Sequence, residues 1–242
     1  MGTEKNMDLG FDIAENARVV RERIFAAAAR SGRDPDGIKL IAVSKTKPAW
    51  LAAEAYAAGL TAFGENHVQE LCEKQSSDEC RGLAGIEWHM IGHLQKNKVR
   101  QVVGKAALIH SVDSLPLALE LQKNAQRLGL TVEILIQVNV ANEESKFGFT
   151  AENTPGAAEE IAALPNLRIR GLMTVAPLTR TPEENRRHFR NLYELSLDIG
   201  RKRIHNVDMC ILSMGMSNDF EVAVEEGANM LRIGTLLFGS RA

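Results

Sequence analysis

Short apolar runs alternate with amphipathic helical patterns along nearly the whole chain, and this alternation constrains the fold more than any other feature. Eight such runs occur in 242 residues. Strands that alternate with helices favour βαβ units, and eight of them at this length predict an α/β fold, a single closed (β/α)8 TIM barrel. The predicted strands are Ile38–Lys45, Thr61–Gly64, Ile86–Gly92, Ala107–Val112, Thr131–Val140, Leu167–Val175, Val207–Ser213 and Met230–Leu237.

The two ends of the chain decide how such a barrel would be completed. Residues 1–10 are expected to form a flexible tail, and apolar residues at helical spacing predict a helix over Phe11–Arg30. Only residues 238–242 follow the last predicted strand, so the N-terminal helix is expected to take the place of the eighth helix. We therefore predict one domain, 1–242. An open doubly wound sheet is the alternative, but the turn after Lys45 lacks the glycines usual in such sheets.

Composition and charge limit the binding partners and the cellular compartment that we expect for the protein. The net charge is −2 and no basic run with interleaved aromatic residues is present, which argues against nucleic acid as a partner. Cys72, Cys80 and Cys210 form no CxxC pair, a pattern that suits a reducing compartment and argues against structural zinc. The sequence shows neither a signal peptide nor an apolar run that could cross a membrane. We therefore expect a cytoplasmic protein.

The first predicted strand ends on a lysine. Lys45 would lie at the C-terminal tip of the strand, and Pro48 opens the next helix, where its missing N–H does no harm. Ligands bind at this end of the strands in barrels and in open α/β sheets. A primary amine that is partly desolvated there can lose its proton and attack a carbonyl. The alternative is a lysine that merely reaches water.

The last two strands end in loops that could bind an anion. Ser213, Gly215 and Ser217 supply hydroxyls and an approachable backbone after one strand, and Gly234 and Thr235 follow the other. Barrel enzymes often bind phosphate with these two loops, helped by a helix N-terminus. Each loop alone is equally well explained by a helix cap and ordinary turn glycines. The two together favour phosphate.

Strand alternation places one more charged group. If Leu231 and Ile233 face the helices, Arg232 points into the barrel, as do Val43 and Lys45. A buried arginine needs an acceptor, since leaving it unpaired costs about 3–5 kcal/mol. An amine, an anion cradle and a guanidinium together suit an aldehyde with a phosphate tail and a ring acceptor. Pyridoxal phosphate is such a molecule, bound through a lysine Schiff base.

At these residues the chain resembles the pyridoxal phosphate homeostasis proteins, whose barrel is like the N-terminal domain of alanine racemases. The matching stretches are Ala42–Thr46, Phe63–Asn66, Trp88–Lys98, Gly171–Met173, Leu212–Asp219, Arg232–Thr235 and Phe238–Gly239. They follow one another from about Ile38 to the end of the chain.

The resemblance implies a role for each site residue. Pyridoxal phosphate would be bound covalently as an internal aldimine on Lys45, with Arg232 facing the pyridine nitrogen and Asn66 near the cofactor. The phosphate would be surrounded by Ser213, Gly215, Ser217, Gly234 and Thr235. Because a guanidinium only donates hydrogen bonds and repels a second positive charge, it disfavours protonation of the ring. The ring is then a weaker electron sink, which limits carbanion chemistry but not storage of the cofactor.

Other residues compete for a role at the site. Lys146 is the second candidate amine, but its polar loop favours a solvated or gating role. His89 and His93 would share a face of the third predicted strand, as hydrogen-bonded core residues rather than metal ligands. Glu65 could act as an acid or base but is better explained as a hydrogen-bonded structural carboxylate.

The resemblance implies a protein of pyridoxal phosphate homeostasis with little or no catalytic turnover. Alanine racemases add a C-terminal domain with a catalytic tyrosine and the dimer contact, whereas this chain ends at Ala242 and its Tyr56 and Tyr193 lie on predicted helices. We therefore expect no catalytic residues, a monomer, and pyridoxal phosphate-dependent apoenzymes as candidate partners. The alternatives are an amino acid racemase that recruits Lys146 or Glu65, and a Schiff-base aldolase acting on a sugar phosphate.

Overall fold

The computed structural model, which describes residues 12–143 and 145–239, contains a closed barrel of eight parallel strands. Strands β1 and β9 pair, and β4 pairs with β5, so that the sheet closes on itself. The barrel strands are β1 (Lys39–Val43), β2 (Ala62–Glu65), β3 (Glu87–Met90), β4 (Leu108–Val112), β5 (Val132–Asn139), β7 (Leu167–Met173), β8 (Val207–Met216) and β9 (Met230–Ile233). The two-residue strand β6 (Phe149–Thr150) pairs in parallel with the end of β5. The predicted (β/α)8 barrel is confirmed.

Helices surround the barrel on its outer side. They are α1 (Ile13–Arg30), α2 (Ala49–Ala57), α3 (Val68–Ser76), α4 (Val99–Val102), α5 (Leu115–Leu128), α6 (Thr154–Ala162), α7 (Arg186–Arg201), α8 (Phe220–Glu225) and α9 (Thr235–Phe238). Helix α1 packs against α8, α9 and α2, the position of an eighth helix, as predicted. None of the helices in the described ranges is both long and apolar enough to cross a bilayer. The predicted tail, residues 1–10, lies outside the described residues.

Two apolar cores follow from the alternation of side chains along the strands. The larger core lies between the barrel and the helices and includes Phe63, Trp88 and Leu231. A smaller cluster fills part of the interior; it consists of Ile41, Ala62, Leu108, Leu135, Met173 and Met230. The rest of the interior carries the polar side chains described below.

Most predicted strand ends differ from the structure by one or more residues, and the differences at β1, β8 and β9 bear on the site. Strand β1 ends at Val43 rather than Lys45, because residues 44–47 form a turn. Strand β8 continues to Met216 rather than ending at Ser213, and its register with β9 shifts between these two residues at a bulge that contains Gly215. Strand β9 ends at Ile233, and residues predicted as strand up to Leu237 form α9 instead. All three differences fall at the C-terminal rim of the barrel.

Candidate functional site

Lys45 lies in a tight turn directly after β1. The N–H of Lys47 donates to the carbonyl of Ser44 at 3.0 Å and closes the turn. Thr46 has a φ of +63°, a left-handed conformation that is unusual for a β-branched residue. The Lys45 side chain is half-buried. Its amine therefore belongs to the C-terminal end of the barrel, where the sequence predicted it.

Arg232 lies inside the barrel, as the alternation along its strand predicted. Leu231 and Ile233 face the helices, whereas the Arg232 side chain is buried and donates to Ser213 Oγ at 2.6 Å and to the Thr174 carbonyl at 2.7 Å. Both of these partners are neutral. Burial lowers the pKa of Arg232 to about 10, so the guanidinium remains charged at neutral pH.

A chain of buried polar side chains continues across the barrel interior from this guanidinium. His110 Nδ1 lies 2.9 Å from Ser213 Oγ, and His110 Nε2 lies 3.0 Å from His89 Nδ1. His89 Nε2 is 3.4 Å from Glu87 Oε2, an ion-pair distance without the geometry of a regular hydrogen bond. Glu87 in turn pairs with Lys39 at 2.9 Å. Desolvation lowers the pKa of His89 and places the pKa of His110 well below its ordinary value.

Because His89 and His110 are neutral, each hydrogen bond in this series of side chains has a defined donor and acceptor. The pKa of Glu87 is lowered to about 2, first by its contact with His89, so its carboxylate attracts a proton on His89 Nε2. His89 Nδ1 is then an acceptor for His110, and His110 Nδ1 accepts the hydroxyl proton of Ser213. Ser213 Oγ is left to accept from Arg232. The Ser213 hydroxyl therefore donates its single proton to His110 inside the barrel.

The tips of β8, β9 and β1 meet at the rim that the sequence predicted for phosphate. Ser217 Oγ accepts a long hydrogen bond, 3.5 Å, from the Leu236 N–H, which links the two loops. A Cβ atom on Gly234 would lie 3.3 Å from the Val43 carbonyl oxygen, so Gly234 is adjacent to the end of β1. Thr235 is exposed at the start of α9. The structure brings these residues together near the turn that holds Lys45.

Ser213 and Gly215 do not lie on the exposed rim. Ser213 is fully buried, and its hydroxyl contacts Arg232 and His110. Gly215 forms the bulge in β8 with φ +88°, and a Cβ there would lie 2.6 Å from the Ala223 Cβ. Their contact with phosphate stays a prediction, and the structure gives each a role in the geometry of the β8 tip.

Asn66 follows β2 and is half-buried at the same end of the barrel. Its backbone packs so closely on Gly92 that a Cβ at that position would lie 2.3 Å from the Asn66 carbonyl oxygen. Glycine is therefore required where the loop after β3 passes the loop after β2. This contact fixes the Asn66 backbone beside the barrel mouth.

Glu65 is a structural carboxylate, as the sequence interpretation favoured. It is fully buried, and its Oε1 accepts from Ser44 Oγ at 2.5 Å and from Lys74 Nζ at 2.7 Å. Burial raises the pKa of Glu65 to about 7, and the ammonium of Lys74 opposes that shift. Because Lys74 belongs to α3, Glu65 points toward the helices rather than into the barrel.

The predicted histidine pair is wrong in one respect. His89 is a hydrogen-bonded core residue, as expected, but β3 ends at Met90, so His93 does not share its strand face. His93 instead binds Asp113 Oδ2 at 2.9 Å and stacks on Phe147 with ring centroids 3.7 Å apart.

The remaining candidates lie outside the series of hydrogen bonds that begins at Arg232. Lys146 pairs with Glu143 at 3.0 Å and lies 3.5 Å from the Val175 carbonyl. Tyr56 and Tyr193 lie on α2 and α7, as predicted, and the Tyr56 hydroxyl donates to the Ala84 carbonyl.

Sequence reasoning missed His110 and Lys74. His110 lies two residues after the interior residue Leu108, so alternation along β4 could have placed it inside the barrel. Lys74 continues the buried positions Val68 and Leu71 at a spacing of three, which indicates the face of α3 that packs on the barrel. Neither residue type suggests burial by itself.

Comparison with known proteins assigns the chain to a family. Residues 12–242 match the family model described as "Alanine racemase, N-terminal domain". The chain is 47% identical over 222 residues to the pyridoxal phosphate homeostasis protein of Aquifex aeolicus (strain VF5), which covers 92% of this chain and 95% of that protein. Identity to the protein of the same name from Pseudomonas aeruginosa is 44% over 229 residues, covering 95% of this chain and 96% of the relative. The chain belongs to the pyridoxal phosphate homeostasis protein family.

Solved structures agree with this family assignment. PipY of Synechococcus elongatus PCC7942 is 37% identical and covers 94% of this homeostasis-family chain and 100% of its own. Its structure with pyridoxal phosphate bound superposes with a TM-score of 0.79, and its structure without the ligand with 0.83. Alanine racemase of Corynebacterium glutamicum, 20% identical with a TM-score of 0.71 over 95% of this chain and 61% of its own, shares the fold.

Proposed function

We propose that this chain binds pyridoxal phosphate covalently through Lys45 and takes part in intracellular homeostasis of that cofactor, with little or no catalytic turnover. The family assignment and the solved structure of PipY with pyridoxal phosphate bound support the choice of ligand. The proposal includes a monomer that works in the cytoplasm and supplies pyridoxal phosphate-dependent apoenzymes.

The single observation that carries the proposal is the buried Arg232 guanidinium. It stays charged and, within the part of the chain that the structure describes, its hydrogen bonds go to neutral groups. It lies on β9 opposite Ile41 of β1, the strand that leads into the turn with Lys45. Such a donor suits a neutral ring nitrogen, because a guanidinium can donate to it and disfavours its protonation. The donor set of the site therefore fits pyridoxal phosphate.

Each part of the site has its own task in holding the ligand. Pyridoxal phosphate supplies an aldehyde whose carbon forms a C=N bond with a primary amine while its oxygen leaves as water. Lys45 provides that amine, and Arg232 donates to the ring. Ser217, Thr235 and the Gly234 backbone would donate to the phosphate, and Gly215 would let the β8 tip bend toward them.

Little turnover is proposed because the bases considered from the sequence, Glu65 and Lys146, are engaged in ion pairs. Two-sided proton transfer at an amino acid Cα needs a base on each face of the ring. Glu65 is buried on the helix side in its ion pair with Lys74, and Lys146 pairs with Glu143. Both tyrosines lie on helices. These positions favour a binding role over the racemase alternative.

Absorbance titration tests the proposal. Pyridoxal phosphate added to the wild type should give a visible band that borohydride abolishes, and Lys45→Ala should give none. Lys47→Ala, which changes a lysine of the same turn, is the matched control and should keep the band. A band that survives in Lys45→Ala would refute the assignment. In deuterated water, exchange at Cα of L-alanine at rates typical of racemases would overturn the proposed lack of turnover.

A further inference from the structure

Helix α3 holds the backbone on both sides of Lys45. Lys74 Nζ donates to the Ser44 carbonyl at 2.6 Å, and Glu70 Oε2 accepts from the Thr46 N–H at 2.8 Å. Lys74 and Glu70 lie one helical turn apart, with Nζ and Oε2 separated by 3.8 Å. Two side chains of one helix thus bind the two peptide groups that flank the candidate nucleophile.

Ser44 is fixed at every polar group. Its N–H donates to the Gly64 carbonyl at 3.3 Å, its carbonyl accepts from Lys74, and its hydroxyl donates to Glu65 at 2.5 Å. Glu65 is fully buried and Lys74 is only 5% exposed. A buried ion pair is weak evidence for stability, since apolar residues of similar volume often replace one without loss. The arrangement of the Glu65–Lys74 pair instead indicates that it fixes the position of Ser44.

Thr46 shows why the other side of Lys45 needs a partner. Its φ of +63° is unfavourable for a residue with a branched Cβ, and such conformations persist only where their surroundings determine them. The Glu70 carboxylate supplies that constraint by accepting the Thr46 N–H. The α3 contact therefore fixes the direction in which the chain leaves β1, and with it the origin of the Lys45 side chain.

We propose that Glu70 and Lys74 are positioning residues that hold the turn around Lys45 so that its amine meets the aldehyde carbon of pyridoxal phosphate. The inference rests on the proposed function. Neither residue is proposed to touch the ligand. The expected consequence is specific, because loss of the turn geometry slows formation of the C=N bond while the contacts to ring and phosphate remain.

The test compares two ligands that differ only at the reacting carbon. Pyridoxal phosphate can condense with Lys45, whereas pyridoxamine 5′-phosphate has the same ring and phosphate but carries an amine. Glu70→Ala should slow the appearance of the visible band roughly 10-fold to 100-fold, since a misplacement of about 1 Å has effects of that size. Affinity for pyridoxamine 5′-phosphate should stay at the wild-type value. Glu70→Gln keeps an acceptor oxygen and should restore near wild-type rates.

A second variant examines the Ser44 side of the turn. Lys74→Met together with Glu65→Gln removes both charges, so that no unpaired charge is left buried, and should also slow condensation without weakening pyridoxamine 5′-phosphate. Wild-type condensation rates in both Glu70→Ala and the double variant would overturn the proposal. Equal weakening of both ligands would also overturn it, because that pattern assigns α3 a general structural role.

These outcomes are separate from failure of the proposed function. If the wild type gives no borohydride-sensitive band, or if Lys45→Ala keeps it, the function itself is wrong. If the wild type gives the band and both Glu70→Ala and the double variant form it equally fast, only the positioning role is wrong. Thermal unfolding of each variant, followed by circular dichroism, shows that the rates refer to folded protein. Glu70 is partly exposed, which makes Glu70→Ala the safer variant.

Discussion

Among single residues, Ser213 most changes the interpretation of the site, because its hydroxyl has two partners inside the barrel. It was predicted as a phosphate ligand, yet its proton goes to His110 and its oxygen accepts from Arg232. Ser213 therefore holds the Arg232 guanidinium, which we propose faces the ring of the ligand, whereas Ser217 lies on the rim. The two serines should respond differently to removal of the phosphate from the ligand.

Comparison of pyridoxal phosphate with pyridoxal separates these two roles. Ser217→Ala should lose a charge-assisted hydrogen bond of about 1.5–3 kcal/mol, roughly 10-fold to 100-fold in affinity, for pyridoxal phosphate alone. Ser213→Ala should weaken both ligands by the same factor, because Arg232 loses an acceptor that holds it in place. Equilibrium titration measures the four constants. If Ser213→Ala affected only pyridoxal phosphate, Ser213 would be a phosphate ligand after all.

His110 should make stability depend on pH. Desolvation holds the pKa of folded His110 well below its ordinary value, whereas an unfolded histidine binds a proton below about pH 6.5. The unfolded state then binds more protons, so this group makes the protein less stable as pH falls below 6.5.

The variant His110→Gln isolates this contribution. Its free energy of unfolding should fall less steeply between pH 6.5 and 5 than that of the wild type, by up to about 1.4 kcal/mol per pH unit. Urea unfolding at several pH values measures the difference. Glu65, whose raised pKa of about 7 acts in the opposite sense in this range, is common to both proteins and cancels. Identical slopes would mean that His110 is protonated when folded.

At the scale of elements, the bulge at the tip of β8 depends on Gly215. An alanine there would adopt φ +88° and place its Cβ 2.6 Å from Ala223 and 3.0 Å from the backbone of Phe220 on α8. Gly215→Ala should therefore reduce the free energy of unfolding by about 2–3 kcal/mol. Gly37→Ala, at a glycine with no atom within 4 Å of the added Cβ, should change it by less than about 0.5 kcal/mol. Chemical denaturation compares them, and equal effects would contradict this role for the bulge.

The pattern of elements was accessible from the sequence because each strand and helix carries its own hydrophobic period. All eight barrel strands were predicted, as was the inward direction of Arg232. The ends of β1, β8 and β9 were not, since a turn, a bulge and a short helix depend on contacts between neighbouring strand tips. The contacts of Lys74 and His110 also join distant parts of the chain, so a local pattern does not specify them.

At the scale of the whole molecule, an N-terminal helix completes the ring around the barrel. Helix α1 and the segment after it bind α8 through Arg23, which pairs with Glu221, and through Arg33, whose Nη1 donates to the carbonyls of Val224 at 2.6 Å and Ala228 at 2.7 Å. These carbonyls lie at the end of the helix that follows β8. The ring of helices therefore holds the N-terminal segment at the end of the barrel opposite the predicted rim of the site.

Arg33→Ala tests this connection. The loss of two hydrogen bonds from a partly buried guanidinium should lower the free energy of unfolding by about 2 kcal/mol. Arg18→Ala is the matched control on α1 and should cause no measurable change. Among the residues that the structure describes, Arg18 pairs with Glu15 and Glu22 of the same exposed helical surface. Equal losses in the two variants, measured by urea unfolding, would show that the link to α8 does not stabilise the barrel.

The whole account depends on a covalent bond between one lysine and pyridoxal phosphate, and peptide mapping examines that bond most directly. The protein is mixed with pyridoxal phosphate, reduced with borohydride, digested and analysed by mass spectrometry. We expect a single stable phosphopyridoxyl adduct on Lys45. An adduct found on Lys146 or Lys74 instead, or no adduct at all, would contradict the account.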